Sequence, residues 1–160
     1  MNGIVYKSTG SWYVVKGEDQ QFYECRLKEI KNTNPIAVGD KVVFYEAETK
    51  GEGVITEIAP RENYIIRKSV NLSKQTHILA ANIDVAFLVV TLNNPTTYPA
   101  FIDRFLVTAE AYSIPAVLLL NKVDSYSPDQ LAEVKYMAHM YRDIGYECIG
   151  ISAQTGKNIE

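Results

Sequence analysis

The chain has 160 residues, 47% of them hydrophobic and 22% charged, with a formal net charge of −3. That length suffices for two small hydrophobic cores, while no stretch approaches a membrane span and Met1-Asn2-Gly3-Ile4-Val5 lacks the basic and apolar regions of a signal peptide. Cys25 and Cys148 lie far apart and read as a reduced, cytoplasmic pair, and no CxxC or Cys/His cluster suggests a metal.

Residues 1–60 alternate short β-branched and aromatic runs with turn residues. Ile4-Val5-Tyr6, Trp12 to Val15, Phe22 to Leu27, Lys41 to Tyr45 and Gly53 to Ile58 are five predicted strands. Thr9-Gly10, Lys16-Gly17-Glu18-Asp19, Val38-Gly39-Asp40 and Lys50-Gly51-Glu52-Gly53 supply turns between them. Five short strands suit a small closed barrel of the OB type, and its aromatics either fill the core or stack bases. Pro60-Arg61-Glu62-Asn63 marks a boundary, followed by a polar connector as far as Ile78. Arg61, Arg67, Lys68 and Lys74 give this stretch a basic character, which fits either a solvated linker or contacts to RNA phosphates. Residues 1–75 carry eleven Lys/Arg and ten Asp/Glu, whereas residues 76–160 carry five and nine, so the first half is the better match for a polyanion. His77 and His139 read as ordinary linker and helix-surface histidines.

From Leu79 the pattern changes. Ile83 to Val90 is nearly continuous apolar sequence, as expected of a strand covered on both faces. Pro99 to Tyr112 is a predicted helix with Ile102, Phe105, Leu106 and Ala109 on one face. A strand over Pro115–Leu120 follows. Ser127-Pro128-Asp129-Gln130 then opens a second helix with an N-cap, an N1 proline and a glutamine at N3. Leu131, Val134, Ala138 and Tyr141 form its apolar stripe, Gly145 ends it, and Tyr146–Ile151 is a third strand. With right-handed crossovers, this order is half of a doubly wound α/β domain.

Two motifs sit where the carboxyl ends of those strands open to ligand. Asn121-Lys122-Val123-Asp124 brings an amide, an ammonium and a carboxylate to the end of one strand. An ionised Asp offers two acceptors to the side-by-side N1–H and N2–H₂ donors of guanine. Adenine lacks that donor pair, and a site built this way discriminates by roughly 10⁴-fold. Ser152-Ala153-Gln154-Thr155-Gly156 follows the next strand and can offer a backbone N–H to guanine O6. No G-x-x-x-x-G-K-[ST] phosphate loop precedes these motifs; Gly150 to Asn158 has one residue too many and lacks the hydroxyl.

The barrel pattern followed by Pro60-Arg61, Arg67, Ala81-Asn82-Ile83-Asp84, Ile102-Asp103-Arg104-Phe105-Leu106, Asn121 to Asp124 and Ser152 to Gly156 resembles the ribosome small-subunit-dependent GTPase A family, RsgA or YjeQ. The resemblance spans essentially the whole chain and implies a circularly permuted GTPase, in which guanine motifs precede the phosphate loop. It implies an OB-fold barrel over 1–68 that binds RNA or the ribosome, a connector over 69–78, and the first part of a P-loop-type GTPase domain over 79–160. Asn121 then braces its loop and meets N7, Lys122 lays its stem along the base, and Asp124 takes N1–H and N2–H₂. Val123 belongs to the same loop, while Ser152 and Ala153 shape the segment reaching O6. Asp103 and Arg104 read as structural.

The activity implied is GTP hydrolysis in late maturation of the small ribosomal subunit, in the cytoplasm and without membrane contact. GTP or GDP, Mg²⁺ and a structural Zn²⁺ are the implied cofactors, and the subunit and its rRNA the partners. Ligands for either metal, the switches and any catalytic residue are missing before Glu160. The chain therefore reads as an N-terminal portion, inactive alone and prone to self-association through an unpaired strand at Ile83–Val90. The alternative is a non-enzymatic OB-fold module that binds RNA or the ribosome.

Overall fold

In a computed structural model, residues 1–28, 35–67 and 77–159 are described, and they form two compact units, Met1–Ile83 and Asp84–Glu160. The first contains strands β1 (Asn2–Ser8), β2 (Tyr13–Gly17), β3 (Phe22–Leu27), β4 (Lys41–Glu46) and β5 (Glu52–Ile58). They close into a barrel in the order β1-β2-β3-β5-β4. All neighbours are antiparallel except β3 and β5, whose pairing runs parallel from Glu24↔Glu52 to Leu27↔Ile55. The five predicted strands are all present.

Alternation along each strand fills the barrel. Val5, Val15, Tyr23, Cys25, Val42, Phe44 and Ile55 point inward and are buried. Phe44 dominates the interior, and small residues facing it make the room. A Cβ added at Gly3 would lie 2.9 Å from the Phe44 ring, and one at Gly53 would lie 3.1 Å from it and 2.8 Å from Cys25 Sγ. All three distances fall short of the roughly 3.5–4.0 Å at which non-bonded atoms pack best. The aromatics divide between the two expected roles: Tyr13, Tyr23 and Phe44 are core, whereas Tyr6, Phe22 and Tyr45 are half exposed on the outside. Burial pushes the Cys25 thiol up to about 11 and raises Cys148 too, and both cysteines are free.

Beyond the barrel, the structure departs from a plain connector. Tyr64–Arg67 (β6) and His77–Ala81 (β7) pair antiparallel, and this hairpin is part of the first unit. Ala81 N–H donates to Val38 O at 2.8 Å, and Asn82 Nδ2 donates to Gly39 O at 2.9 Å. Gly39 has φ +88°, and a Cβ there would stand 2.0 Å from Ala81 O, so only glycine fits this crossing. Ile83 is held by the Asn63 side chain through bonds of 2.7 and 2.8 Å, and the strand expected over Ile83–Val90 begins only at Ala86. The first unit ends at Ile83. Lys68, Lys74 and most of the 69–78 connector lie outside the described residues.

Arg61 ties the hairpin region to the barrel. Asp40 is fully buried; its Oδ1 accepts from Arg61 Nε and its Oδ2 from Arg61 Nη2, both at 2.7 Å, and Oδ2 also accepts from Ala37 N at 2.8 Å. Arg61 Nη2 donates a further bond of 2.9 Å to Pro35 O. The bidentate carboxylate raises the guanidinium's already high pKa, so Arg61 stays charged. This guanidinium, expected as a phosphate contact, is thus engaged within the protein.

The second unit is a parallel sheet in the order β10-β9-β8, formed by Ala86–Val90 (β8), Ala116–Leu120 (β9) and Glu147–Gly150 (β10). Helices α1 (Pro99–Ala111) and α2 (Pro128–Asp143) connect them. Leu88, Val90, Leu118, Leu120 and Cys148 pack with Ile102, Leu106, Val134, Ala138 and Tyr141 in one core. Ser127 and Gln130 form the reciprocal capping box, with Pro128 at the first turn. Tyr141 hydroxyl donates to Asp103 Oδ1 at 2.8 Å and links the two helices, a structural task for Asp103. Burial and that bond raise the phenol's pKa.

β8 differs from expectation in one respect. Its Leu88 and Val90 are covered, but Phe87 and Val89 are 60% and 54% exposed on the other face, where no described element packs. Among the described residues, no helix is long and apolar enough to cross a membrane.

Removing Arg61 would strand a buried carboxylate. We expect Arg61→Ala to lower stability by about 3 kcal/mol, with partial recovery in the Arg61→Ala, Asp40→Asn double variant because no buried charge remains. Urea denaturation of the three chains checks both outcomes.

Candidate functional site

Parallel pairing brings the two motifs to one edge of the sheet. Val90, Leu120 and Gly150 are in register at the strand ends, so the segments that follow β9 and β10 leave the sheet at the same level. Asn121 N–H donates to Val90 O at 2.8 Å, Ile151 N–H to Leu120 O at 2.9 Å, and Val123 N–H to Ile151 O at 3.2 Å. Val123 thereby serves the loop's frame through its main chain.

The Asn121 amide oxygen joins the two loops. It accepts from Lys122 N–H at 2.8 Å, within its own loop, and from Ala153 N–H at 3.0 Å, across in the other. With the oxygen occupied, the amide nitrogen is the group left to donate, the polarity an acceptor such as guanine N7 requires. Lys122 has φ +70°, an uncommon left-handed conformation for a lysine. Its ammonium donates to the Asn94 carbonyl, and its own carbonyl accepts from Ser125 N–H and Ser125 Oγ, both at 3.0 Å.

Ser152 is fully buried and organises the second loop. Its Oγ accepts from Thr155 N–H at 3.1 Å, its carbonyl from Gly156 N–H at 2.9 Å, and its N–H donates to Lys157 O at 3.1 Å. Asn158 Nδ2 closes the turn on Gly150 O at 2.8 Å. These bonds consume the N–H groups of Ser152, Ala153, Thr155 and Gly156. Among the described residues, the Gln154 N–H has no partner and is the free donor of the loop.

Asp124 is exposed, and its carboxylate has no partner among the described residues. It shares a cleft of about 300 Å³ with Asn121, Lys122, Ser125, Ala153 and Gln154. An acceptor pair, an outward amide donor and a free backbone N–H therefore line one concavity. The sequence motifs supplied the cleft residues apart from Ser125. Gln154 was named only as part of its motif, Asn94 lies 28 positions before Lys122, and Tyr126 fixes the neighbouring loop by accepting from Leu92 N–H at 2.9 Å. Nothing in the sequence marks those long-range partners. No group of three or more His, Cys, Asp or Glu is placed to hold a metal among the described residues.

The bridge through Asn121 is open to direct measurement. In Asn121→Ala, the Ala153 amide should exchange with solvent roughly fivefold faster, the equivalent of about 1 kcal/mol, while the β9–β10 ladder keeps its protection. Amide hydrogen exchange followed by NMR reads both.

Comparison with known proteins covers both units. The RsgA N-terminal domain family matches residues 2–55 and the RsgA GTPase family matches residues 58–160. A relative from Christiangramia forsetii, named small ribosomal subunit biogenesis GTPase RsgA, is 66% identical over all of this chain and 53% of its own length. A protein of the same name from Flavobacterium psychrophilum is 53% identical over all of this chain and 52% of its own length. YjeQ from Thermotoga maritima superposes with a TM-score of 0.78 at 31% identity, over 99% of this chain and 54% of that one. YloQ, described as a circularly permuted GTPase, gives 0.71 at 30% identity over 96% and 52%. The chain spans about half the length of the curated relatives it matches. The two family matches together cover nearly the whole chain, and the chain belongs to the RsgA family of GTPases.

Proposed function

We propose that this chain carries the guanine-recognition half of a GTP-binding, GTP-hydrolysing factor acting in late maturation of the small ribosomal subunit. The observation that carries the reading is the unpartnered Asp124 carboxylate beside an Asn121 side chain that bridges both loops. In this reading Asp124 accepts from N1–H and N2–H₂, Asn121 Nδ2 donates to N7, and the Lys122 stem lies along the base. Ser152 and Ala153 hold the second loop in shape, and the free Gln154 N–H supplies the donor to O6. The family resemblance and the names of the relatives support the assembly role and a cytoplasmic setting.

Arg67, Lys68 and Lys74, which follow the barrel in sequence, are proposed as RNA phosphate contacts, whereas Arg61 serves Asp40. Mg²⁺ belongs with a phosphate-binding loop, and the described residues offer no ligand cluster for it or for Zn²⁺. No step through either ion is assigned to these residues. Self-association through the β8 edge, where Phe87 and Val89 are exposed, belongs to the same reading.

Specificity should rest on Asp124. In the full-length protein, Asp124→Asn puts an amide donor where a carboxylate oxygen met the N2 amino group, and xanthine carries a carbonyl there. We expect GTP affinity to fall and xanthosine nucleotides to be favoured, measured by titration calorimetry; unchanged GTP affinity would remove Asp124 from the site.

Phosphoryl transfer depends on a lysine, backbone donors and metal positioned around the phosphates, and the 160 residues include no phosphate loop. The chain alone should therefore bind guanosine and GTP about equally and weakly, without turnover. Calorimetry and a phosphate-release assay on the same purified sample check the two halves of this expectation.

A further inference from the structure

A third loop, residues 91–97 between β8 and α1, reaches the lysine of the candidate site although neither sequence motif includes it. Its two ends are fastened to each other. Thr97 N–H donates to Thr91 O at 2.9 Å, Thr97 Oγ1 accepts from Thr91 N–H at 3.1 Å, and Thr91 Oγ1 donates to Pro95 O. Leu92 N–H donates to the Tyr126 hydroxyl at 2.9 Å, and Tyr126 is itself buried in the core of the second unit. Closed on itself and pinned to a core side chain, the loop has few other shapes open to it. Asn94 stands at its middle, and the Asn94 carbonyl takes the Lys122 ammonium.

The contact joins two uncommon backbones. Asn94 has φ +50° and Lys122 has φ +70°. Asparagine enters the left-handed region at low cost, whereas lysine gains nothing locally from it. Such an outlier persists only where its surroundings hold it, and it points toward function. At Lys122 the surroundings act at both ends. Ser125 closes a turn on the lysine carbonyl and fixes the backbone, while the Asn94 carbonyl fixes the far end of the side chain.

A free lysine side chain has among the most rotamer freedom to lose on ordering. With both ends fastened, the methylene stem is set before a base arrives, and preorganisation of that kind raises affinity without a new contact. Lys122 lines the cleft beside Asp124, whereas the described lining residues do not include Asn94. Asn94 therefore acts through the lysine.

We propose that Asn94 is a positioning residue of the guanine site: its main-chain carbonyl, presented by the 91–97 loop, holds the Lys122 ammonium so that the lysine stem forms a ready-made wall for the base. The proposal rests on the guanine-site reading above and adds a third loop to it. The carbonyl meets no base edge, so it sets how tightly a purine nucleotide is held and not which purine is chosen. Discrimination stays with Asp124.

The test is titration calorimetry of the full-length protein with guanosine diphosphate and inosine diphosphate, which differ by the N2 amino group. Asn94→Val puts a β-branched residue where φ is positive and displaces the carbonyl. We expect it to weaken both nucleotides about tenfold with their ratio unchanged. Asn94→Gly, which keeps the left-handed backbone, should retain the parental affinity. Tyr126→Phe unpins the loop while keeping a ring in the core, and it should weaken both nucleotides in the same sense. The decisive background is Lys122→Met, which keeps a long apolar stem and lacks the ammonium. There Asn94→Val and Tyr126→Phe should cost nothing further, because the contact they act through is already gone.

Urea denaturation shows which variants fold, and Tyr126→Phe carries the coupling test if Asn94→Val does not. Equal losses in the parent and Lys122→Met backgrounds would make the loop a structural support only and overturn the proposal. Parental affinity in a folded Asn94→Val variant, or a changed ratio of the two nucleotides, would overturn it as well. A parent that prefers guanosine to adenosine diphosphate while the variants show no coupling sinks the tether and leaves the guanine reading intact; a parent that binds the two alike sinks both.

Discussion

The Asn121 amide oxygen carries two backbone donors, one from each loop at the carboxyl edge of the sheet, and the arrangement of the candidate site follows from that one acceptor. Level strand ends at Leu120 and Gly150 bring the loops close, but proximity alone leaves each free to choose its own turn. The shared acceptor couples them. It also decides polarity, because an oxygen so engaged turns its nitrogen outward as a donor. The same bond withdraws the Ala153 N–H and leaves the Gln154 N–H unclaimed, so the chemistry offered to a base depends on a side chain that itself helps build the cleft.

A comparable economy governs the first unit. Asp40, buried at the end of the Val38-Gly39-Asp40 turn, collects a backbone N–H from Ala37 and two guanidinium bonds from Arg61. Gly39 and Asn82 then fasten β7 against the same turn. A carboxylate in that position requires a partner of opposite charge with several donors, and arginine supplies them in one plane. The hairpin is therefore joined to the barrel at a polar point.

The elements most legible in the sequence were those with local causes. β-branched and aromatic runs between turn residues disclosed all five barrel strands, and Ser127-Pro128-Asp129-Gln130 disclosed the start of α2 because its cap is made among neighbours. Asn121 to Asp124 and Ser152 to Gly156 were legible because their residue types match the donors and acceptors of guanine. What stayed hidden depends on distant partners. Arg61 reads as a linker cation until Asp40, 21 positions earlier, is seen beneath it. β6 and β7 look like polar connector because each is short and half exposed, and their pairing becomes visible only across the intervening residues. The apolar run at β8 announced a strand but not which face the helices leave open.

The fit of Phe44 between Gly3 and Gly53 has a consequence for how this barrel changes over time. The benzyl group is accommodated because both glycines lack a Cβ, and each wall position answers to other neighbours as well: a Cβ at position 3 would also meet Val15 at 2.5 Å and the Lys16 carbonyl at 2.8 Å. A methyl gained at position 53 crowds the ring and Cys25, whereas a smaller residue at position 44 opens a void. Drift at these sites is therefore epistatic: a larger wall residue needs a smaller central residue and, with it, a change at the further neighbour its Cβ meets, Val15 for position 3 and Cys25 for position 53.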